Sequence, residues 1–152
     1  MPSSMRAKVG QEFEVALRGM MTVRAFPKGA GLFRQGMSAT GVYLIEKGSV
    51  RVLLATSDQN QLLEVVGPGA LLGLSDNVAG GAYRVTAEAA EPTTAAFVER
   101  EAFMNFLGYH HDFCMQVVRL LSDNLHALYH KFRSVSAHPG RPRRRSLNQQ
   151  LN

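Results

Sequence analysis

Gly41-Val42-Tyr43-Leu44-Ile45-Glu46-Lys47-Gly48-Ser49-Val50-Arg51-Val52 carries the plainest structural signal in the chain. Four consecutive apolar residues meet a Glu-Lys-Gly turn, and Val50, Val52 and Leu54 then alternate with other residues. Aromatic and β-branched side chains suit a pleated surface, and Gly48 marks the reversal, so the stretch reads as a β-hairpin. The same grammar repeats on the C-terminal side. Leu62 to Val66 precedes Gly67-Pro68-Gly69, Ala82 to Ala89 alternates, and Thr93 to Val98 is a last apolar run. Ten of the 14 glycines fall between Gly29 and Gly81, between these runs. Short strands separated by turn residues predict a mainly β architecture, an antiparallel β-roll or jelly roll, with flanking helices.

The flanks change period. From Gln11 to Met20, residues Phe13, Val15, Ala16, Leu17 and Met20 fall in helical register. Phe103, Phe106 and Leu107 recur at i, i+3 and i+4 from Glu101 to Leu107, where Gly108 interrupts. A longer helix is expected from about Asp112 to Val135, ended by Ser136, Pro139 and Gly140. At about 1.5 Å per residue it is roughly 36 Å long. The expected organisation is therefore a helical segment over 1–21, a β-roll with a short helix over 22–107, a long helix over 108–136 and a disordered basic tail over 137–152.

The chain has 152 residues, 45% hydrophobic and 19% charged, which suits one packed domain. No apolar run approaches the roughly 20 residues of a membrane span, and the N-terminus lacks the apolar core of a secretion signal. The expected location is cytoplasmic. A single cysteine, Cys114, excludes an intramolecular disulfide and any iron–sulfur cluster that takes several thiolates from one chain. The net charge of +5 is uneven. Six of the 17 basic residues follow position 130, where no acid lies, so 11 bases face 12 acids in the rest. A basic nucleic-acid-gripping surface is thus not expected on the folded body.

The long helix carries two stripes. Cys114, Val118, Leu121, Leu125, Leu128, Phe132 and Val135 are spaced 4, 3, 4, 3, 4, 3, which is a heptad seam. Phe113, Val117 and Leu120 form the other stripe. One stripe suits the sandwich. The other needs a second partner, and the same helix of a second copy is the simplest one, making a homodimer. A helix buried within a single chain is the alternative.

The order of these features resembles a known family. The Gly41–Val52 hairpin looks like the "Tyr-hydrophobic-x-x-x-Gly-x-Val" hairpin of the cyclic-nucleotide-binding domain. Gly67-Pro68-Gly69 followed by Leu72-Gly73 resembles the entry to that family's phosphate-binding cassette. Val98 to Phe103 is similar to the strand-to-helix junction after it. The long helix resembles the dimerisation helix of catabolite-activator-like (Crp/Fnr) regulators of bacteria. The match spans roughly Thr22 to Val135 and implies a non-catalytic sensor domain in signal transduction.

Departures from the family pattern fall at the ligand site, whose counterparts here are Gly73, Leu74, Tyr83, Arg84, Val85 and Tyr129. Cyclic-AMP- and cyclic-GMP-binding relatives have Gly-Glu where this chain has Gly73-Leu74, and Leu74 accepts no hydrogen bond from a ribose. The family also needs an arginine against the cyclic phosphate, since a buried anion must be paired. Side chains alternate faces along a strand, and Tyr83, Val85, Ala87 and Ala89 read as inward, which turns Arg84 outward. A bulge at Gly80-Gly81 would restore Arg84 to the interior and with it a genuine cyclic nucleotide receptor. On the long helix, relatives meet the purine with hydroxyl residues. Leu128 and Tyr129 stand there, and only Tyr129 can donate. The expectation is a degenerate site without cofactor or cyclic nucleotide, either open to a more apolar ligand or filled by Leu74 and Tyr83.

DNA-binding relatives carry a helix-turn-helix after the long helix. Only 17 residues follow Val135, including Pro139, Gly140 and Pro142, too few for that module. The start at Met1 and the polar ending favour a complete small protein over a fragment. Other constellations are weaker. His126 and His130 share a helix face at metal-ligand spacing, but no third ligand is near in sequence, so no metal site is expected. A heme or metal redox sensor is the alternative from another class, with His110, His111, Cys114, Met115 and His126 as candidate ligands. Asp58, Asp76, Asp112 and Asp123 form no catalytic pair, and no enzyme activity is expected. Arg141-Pro142-Arg143-Arg144-Arg145 would contact nucleic acid, an acidic protein or membrane phosphates, or serve solubility alone. A protein partner is the remaining expectation.

Overall fold

Two antiparallel sheets face each other, and helices cover the outer side of one of them. The computed structural model describes the backbone of residues 6–8 and 11–136 and the side chains of residues 11–12 and 14–123. In chain order the described elements are β1 (Arg6–Lys8), α1 (Gln11–Leu17), a 3-10 turn (Arg18–Met20), β2 (Thr22–Phe26) and β3 (Gly31–Phe33). Then come β4 (Gly41–Lys47), β5 (Val50–Ala55), β6 (Asn60–Val66), β7 (Ala70–Leu72) and α2 (Leu74–Ala79). The chain continues with β8 (Thr86–Ala89), β9 (Thr93–Glu99), α3 (Arg100–Tyr109) and α4 (His111–Ser136). The first sheet has the order β1-β7-β4-β9-β2, and the second the order β3-β8-β5-β6.

Strand β4 shows why the quoted run lacks polar alternation. Gly41 to Ile45 are all buried, because both faces of this central strand are covered. Tyr43 and Ile45 point between the sheets, into a core with Phe33, Val52, Leu72, Tyr83, Val85 and Ala95. Val42 and Leu44 point the other way. They meet Leu17, Leu71, Leu74, Phe103, Phe106 and Val117 in a second core beneath the helices. On the edge strand β6, the register shifts between Val52 and Leu53, and Glu64 stands opposite buried Val52. A bulge and an inward charge are usual protections of a free sheet edge.

Several boundaries differ from the sequence expectations. The segment over 1–21 is not wholly helical, since β1 pairs with β7, Arg6 opposite Leu72. Three residues are too few for a readable period of two. Gly108 does not end the short helix. A Cβ at Gly108 would meet nothing within 4 Å, so the backbone there is under no packing constraint. The break falls at His110, with φ −125° and ψ 84°. Of the alternating stretch from Ala82 to Ala89, only Thr86–Ala89 forms strand. The part before it is zipped instead to the loop after β3, where Ser38 bridges Ala82.

The long helix is present as α4, 26 residues from His111 to Ser136. Its two stripes are not cleanly divided between two partners. Phe113, Cys114, Leu120 and Leu121 all pack, half-buried, around the helix-side core that holds buried Val117. Cys114 and Leu121, expected on the seam, thus already touch the domain's own interior. Val118 is 48% exposed and remains on the free face. The side chains of Leu125, Leu128, Phe132, Val135 and Tyr129 lie outside the described residues, as do the tail and both His126 and His130. No helix among the described residues is long and apolar enough to cross a membrane.

Candidate functional site

Tyr83 and Val85 of the expected site lie between the two sheets, among Phe33, Tyr43, Val52 and Leu72. Tyr83 is 2% exposed. Its ring stacks on Phe33 with centroids 3.9 Å apart and planes 13° from parallel. Tyr43 leans on the same Phe33 at 5.9 Å and on Phe97 at 4.9 Å, and Phe26 meets Tyr43 edge-on at 6.1 Å. Stacked and edge-to-face pairs at such separations are favourable beyond the area they bury. Tyr83, Phe33, Tyr43, Phe97 and Phe26 thus form one connected aromatic cluster.

The Tyr83 hydroxyl is saturated. It accepts from the backbone N–H of Thr40 and of Gly41, each at 3.2 Å, and donates to the Gly41 carbonyl at 2.6 Å. Backbone pairing holds the residue from both sides. Gly36 N–H donates to the Tyr83 carbonyl at 2.8 Å, and Tyr83 N–H donates to the Met37 carbonyl at 2.8 Å. Ala39 N–H donates to Gly81 at 2.9 Å. The 81–83 stretch is therefore fixed by the loop after β3 rather than by a sheet.

Arg84 faces the other way. Its side chain is 69% exposed, and its Nε lies 3.2 Å from Asp76 Oδ1. The backbone N–H of Arg84 also donates to Asp76 Oδ2, at 3.3 Å. Val85, next along, returns to the core between the sheets. Leu74 departs from the expectation that it fills this space with Tyr83. It is buried in the other core, beneath the helices, with Val42, Leu71 and Val98. The cause is local. Gly73 has φ +85°, a left-handed conformation that side chains resist, and α2 starts directly after it. The turn swings Leu74 to the helical side. A Cβ at Gly73 would also lie 3.1 Å from Tyr83 and 3.2 Å from the Asn77 amide, so no other residue fits there without a shift.

Sequence reasoning missed α2 and, with it, Asn77. Fully buried, Asn77 donates from Nδ2 to the carbonyls of Gly41 and Gly73, at 2.8 and 2.7 Å. Six residues between glycines carry no helical period, but the glycine on each side was a usable signal of the caps. Arg24 was also missed. Its guanidinium sits 4.0 Å over the Phe97 ring, and Nη1 donates to the Tyr43 hydroxyl at 3.3 Å.

Burial pushes the Tyr43 phenol above its ordinary value of 10.0; the Arg24 charge works against this and Tyr83 works with it. The native state therefore holds the Tyr43 proton longer than the unfolded chain does. That contribution to stability is complete below the unfolded value and disappears as pH rises through the native one. Urea midpoints are expected to fall more steeply above pH ~10 in the parent than in Tyr43→Phe. Parallel curves would place the titration elsewhere.

The remaining sequence candidates lie apart from this space. Cys114 is half-buried beneath the helices. The His110 ring packs 4.3 Å from Phe106 and 6.1 Å from Phe113. His110 and His111 line an open cleft of about 800 Å³ with Glu12 and Asp112, at the junction of α3 and α4. Among the described residues, no three His, Cys, Asp or Glu side chains converge at metal-binding distances.

A family model described as the cyclic nucleotide-binding domain matches residues 23–110. No curated protein matches the chain. Solved structures do. The N-terminal domain of a transcriptional regulator from Streptomyces coelicolor A3(2) is 21% identical, over 79% of this chain and 86% of that one, with a TM-score of 0.66. The sensor domain of the transcriptional regulator DNR from Pseudomonas aeruginosa is 24% identical, over 74% of this chain and 77% of that one, with a TM-score of 0.67. The catabolite activator protein of Thermus thermophilus is 26% identical, over 84% of this chain and 57% of that one, with a TM-score of 0.61.

Proposed function

The chain belongs to the cyclic nucleotide-binding domain family, and we propose that it is a non-catalytic, Crp/Fnr-like regulatory domain whose nucleotide site is degenerate. It acts as a homodimer through α4, and its output goes to a protein partner. The observation that carries this reading is Tyr83 inside the roll, with its hydroxyl bonded to Gly41 and Thr40, while Arg84 turns outward to Asp76.

Both space and charge oppose a cyclic nucleotide here. A cyclic nucleotide brings an anionic phosphate into a low-dielectric interior, where it must be paired. Arg84 is engaged on the outer surface, and Leu74, beneath the helices, accepts nothing from a ribose. A purine would also have to displace a phenol already stacked at van der Waals distance on Phe33. For such a domain, the free face of α4 around Val118 is the route by which one copy reports to another.

Thermal unfolding with millimolar cyclic AMP or cyclic GMP is expected to show no shift. A ligand at 100 times its dissociation constant adds about 2.7 kcal/mol. For a domain of this size that is roughly 5–10 °C. A shift of that size with either nucleotide sinks the proposal, because it requires an arginine to have reached the phosphate.

A further inference from the structure

We propose that Tyr83 is the domain's built-in ligand, a phenol whose hydroxyl fixes the first turn of α3 through the Thr40–Gly41 peptide. It rests on the reading that the roll takes no cyclic nucleotide. Three attachments meet at the backbone of Thr40 and Gly41. From between the sheets, the Tyr83 hydroxyl bonds both N–H groups and the Gly41 carbonyl. From α2, Asn77 Nδ2 donates to the same Gly41 carbonyl, at 2.8 Å. From α3, the N–H of Arg100 donates to the Thr40 carbonyl, at 2.9 Å.

Arg100 closes the circuit. It is the first residue of α3. Its Nε donates to the Asn77 carbonyl at 2.7 Å, so the start of α3 is tied both to the peptide and to α2. Behind it, α3 presents Phe103 and Leu107 to the same core as Val117 of α4. A hydroxyl buried between the sheets is thus two hydrogen bonds from the helical layer. Coupling through packed and hydrogen-bonded groups needs such a contiguous, physically defined chain.

A diffusible ligand would shift this arrangement by binding one state better than another. A tethered one is present at all times. The phenol therefore holds the α3–α4 layer in a single arrangement, and regulation of this domain must enter from outside the roll.

Hydrogen exchange on the full chain tests the coupling, with β5 and β6 as internal reference. In Tyr83→Phe the ring and its stacking remain, and only the hydroxyl is lost. Exchange across Arg100–Tyr109 is expected to rise about tenfold relative to β5 and β6, since buried groups at the shared peptide lose a partner. In Tyr83→Ala, 4-methylphenol at millimolar concentration is expected to restore protection of α3, whereas toluene, of similar shape without a hydroxyl, does not. Exchange in Tyr83→Phe that rises only within 34–41 and 80–86 overturns the proposal, and so does equal rescue by toluene. Should Tyr83→Ala fail to fold, Tyr83→Phe alone decides. Failure here alongside unchanged indifference to cyclic AMP removes the built-in ligand but leaves the closed site. A thermal shift with cyclic AMP removes both.

Discussion

Gly41→Ala is expected to cost more than ~3 kcal/mol, a large share of the 5–15 kcal/mol that holds a domain together. A Cβ at this position would lie 2.4 Å from the Val98 carbonyl oxygen and 2.4 Å from Phe97 Cε1. The Phe97 ring has little freedom to retreat, because Tyr43 lies against it at 4.9 Å and Arg24 covers it at 4.0 Å. The Val98 oxygen belongs to β9, which pairs with β4 at this very register, Val42 opposite Val98. Relief therefore means parting the two central strands. Gly41 is also the residue that Tyr83 and Asn77 both bond, so the site would be disturbed along with the fold. The check is a urea or thermal melt. A midpoint about 10 °C or more below the parent is expected. A variant within ~1 kcal/mol of the parent would mean that the strands separate more easily than close packing allows.

Leu125→Glu with Leu128→Glu should convert dimers into monomers, halving the mass in light scattering towards the 16.7 kDa of one chain. Both residues belong to the heptad series that begins at Cys114. In a parallel pair of helices, four carboxylates would enter one apolar seam, and unpaired buried charge costs several kcal/mol per group. Weakening by more than about 100-fold follows, since each 1.4 kcal/mol is a factor of ten. The β-roll should remain folded, with its far-ultraviolet circular dichroism intact, since Val42, Leu44, Leu71, Phe103 and Val117 hold its helix-side core among the described residues. Dimers that survive the double change would assign assembly to another surface.

The hairpin from Gly41 to Val52, the run from Thr93 to Val98 and the long helix were legible because each is long enough to show its own period. So was the facing of Tyr83 and Arg84. The small apolar residues at 85, 87 and 89 set an inner face, and counting back by two reaches Tyr83, which the structure buries, while Arg84 stays exposed. Counting worked there even though strand begins only at Thr86, because the backbone bonds to Gly36 and Met37 keep residue 83 in place.

Leu74 shows where such counting ends. From sequence it belongs to the ligand site, directly after the glycine that enters it. A left-handed turn at Gly73 and the start of α2 rotate it into the opposite core. The seam shows the same limit in a milder form. Spacing separates Cys114 and Leu121 from the face that packs on the domain, yet both are half-buried against it, since a helix lying on a curved roll touches along more than one stripe.

Local order in the sequence therefore set the class of fold, the major strands and the presence of a long last helix, because these depend on residues a few positions apart. The convergence of Tyr83, Asn77 and Arg100 on the backbone of Thr40 and Gly41 had no trace in it. Those contacts join positions 36 to 60 residues apart along the chain. Hydrogen bonds of that kind are set by how sheets and helices stack, and no periodicity encodes them.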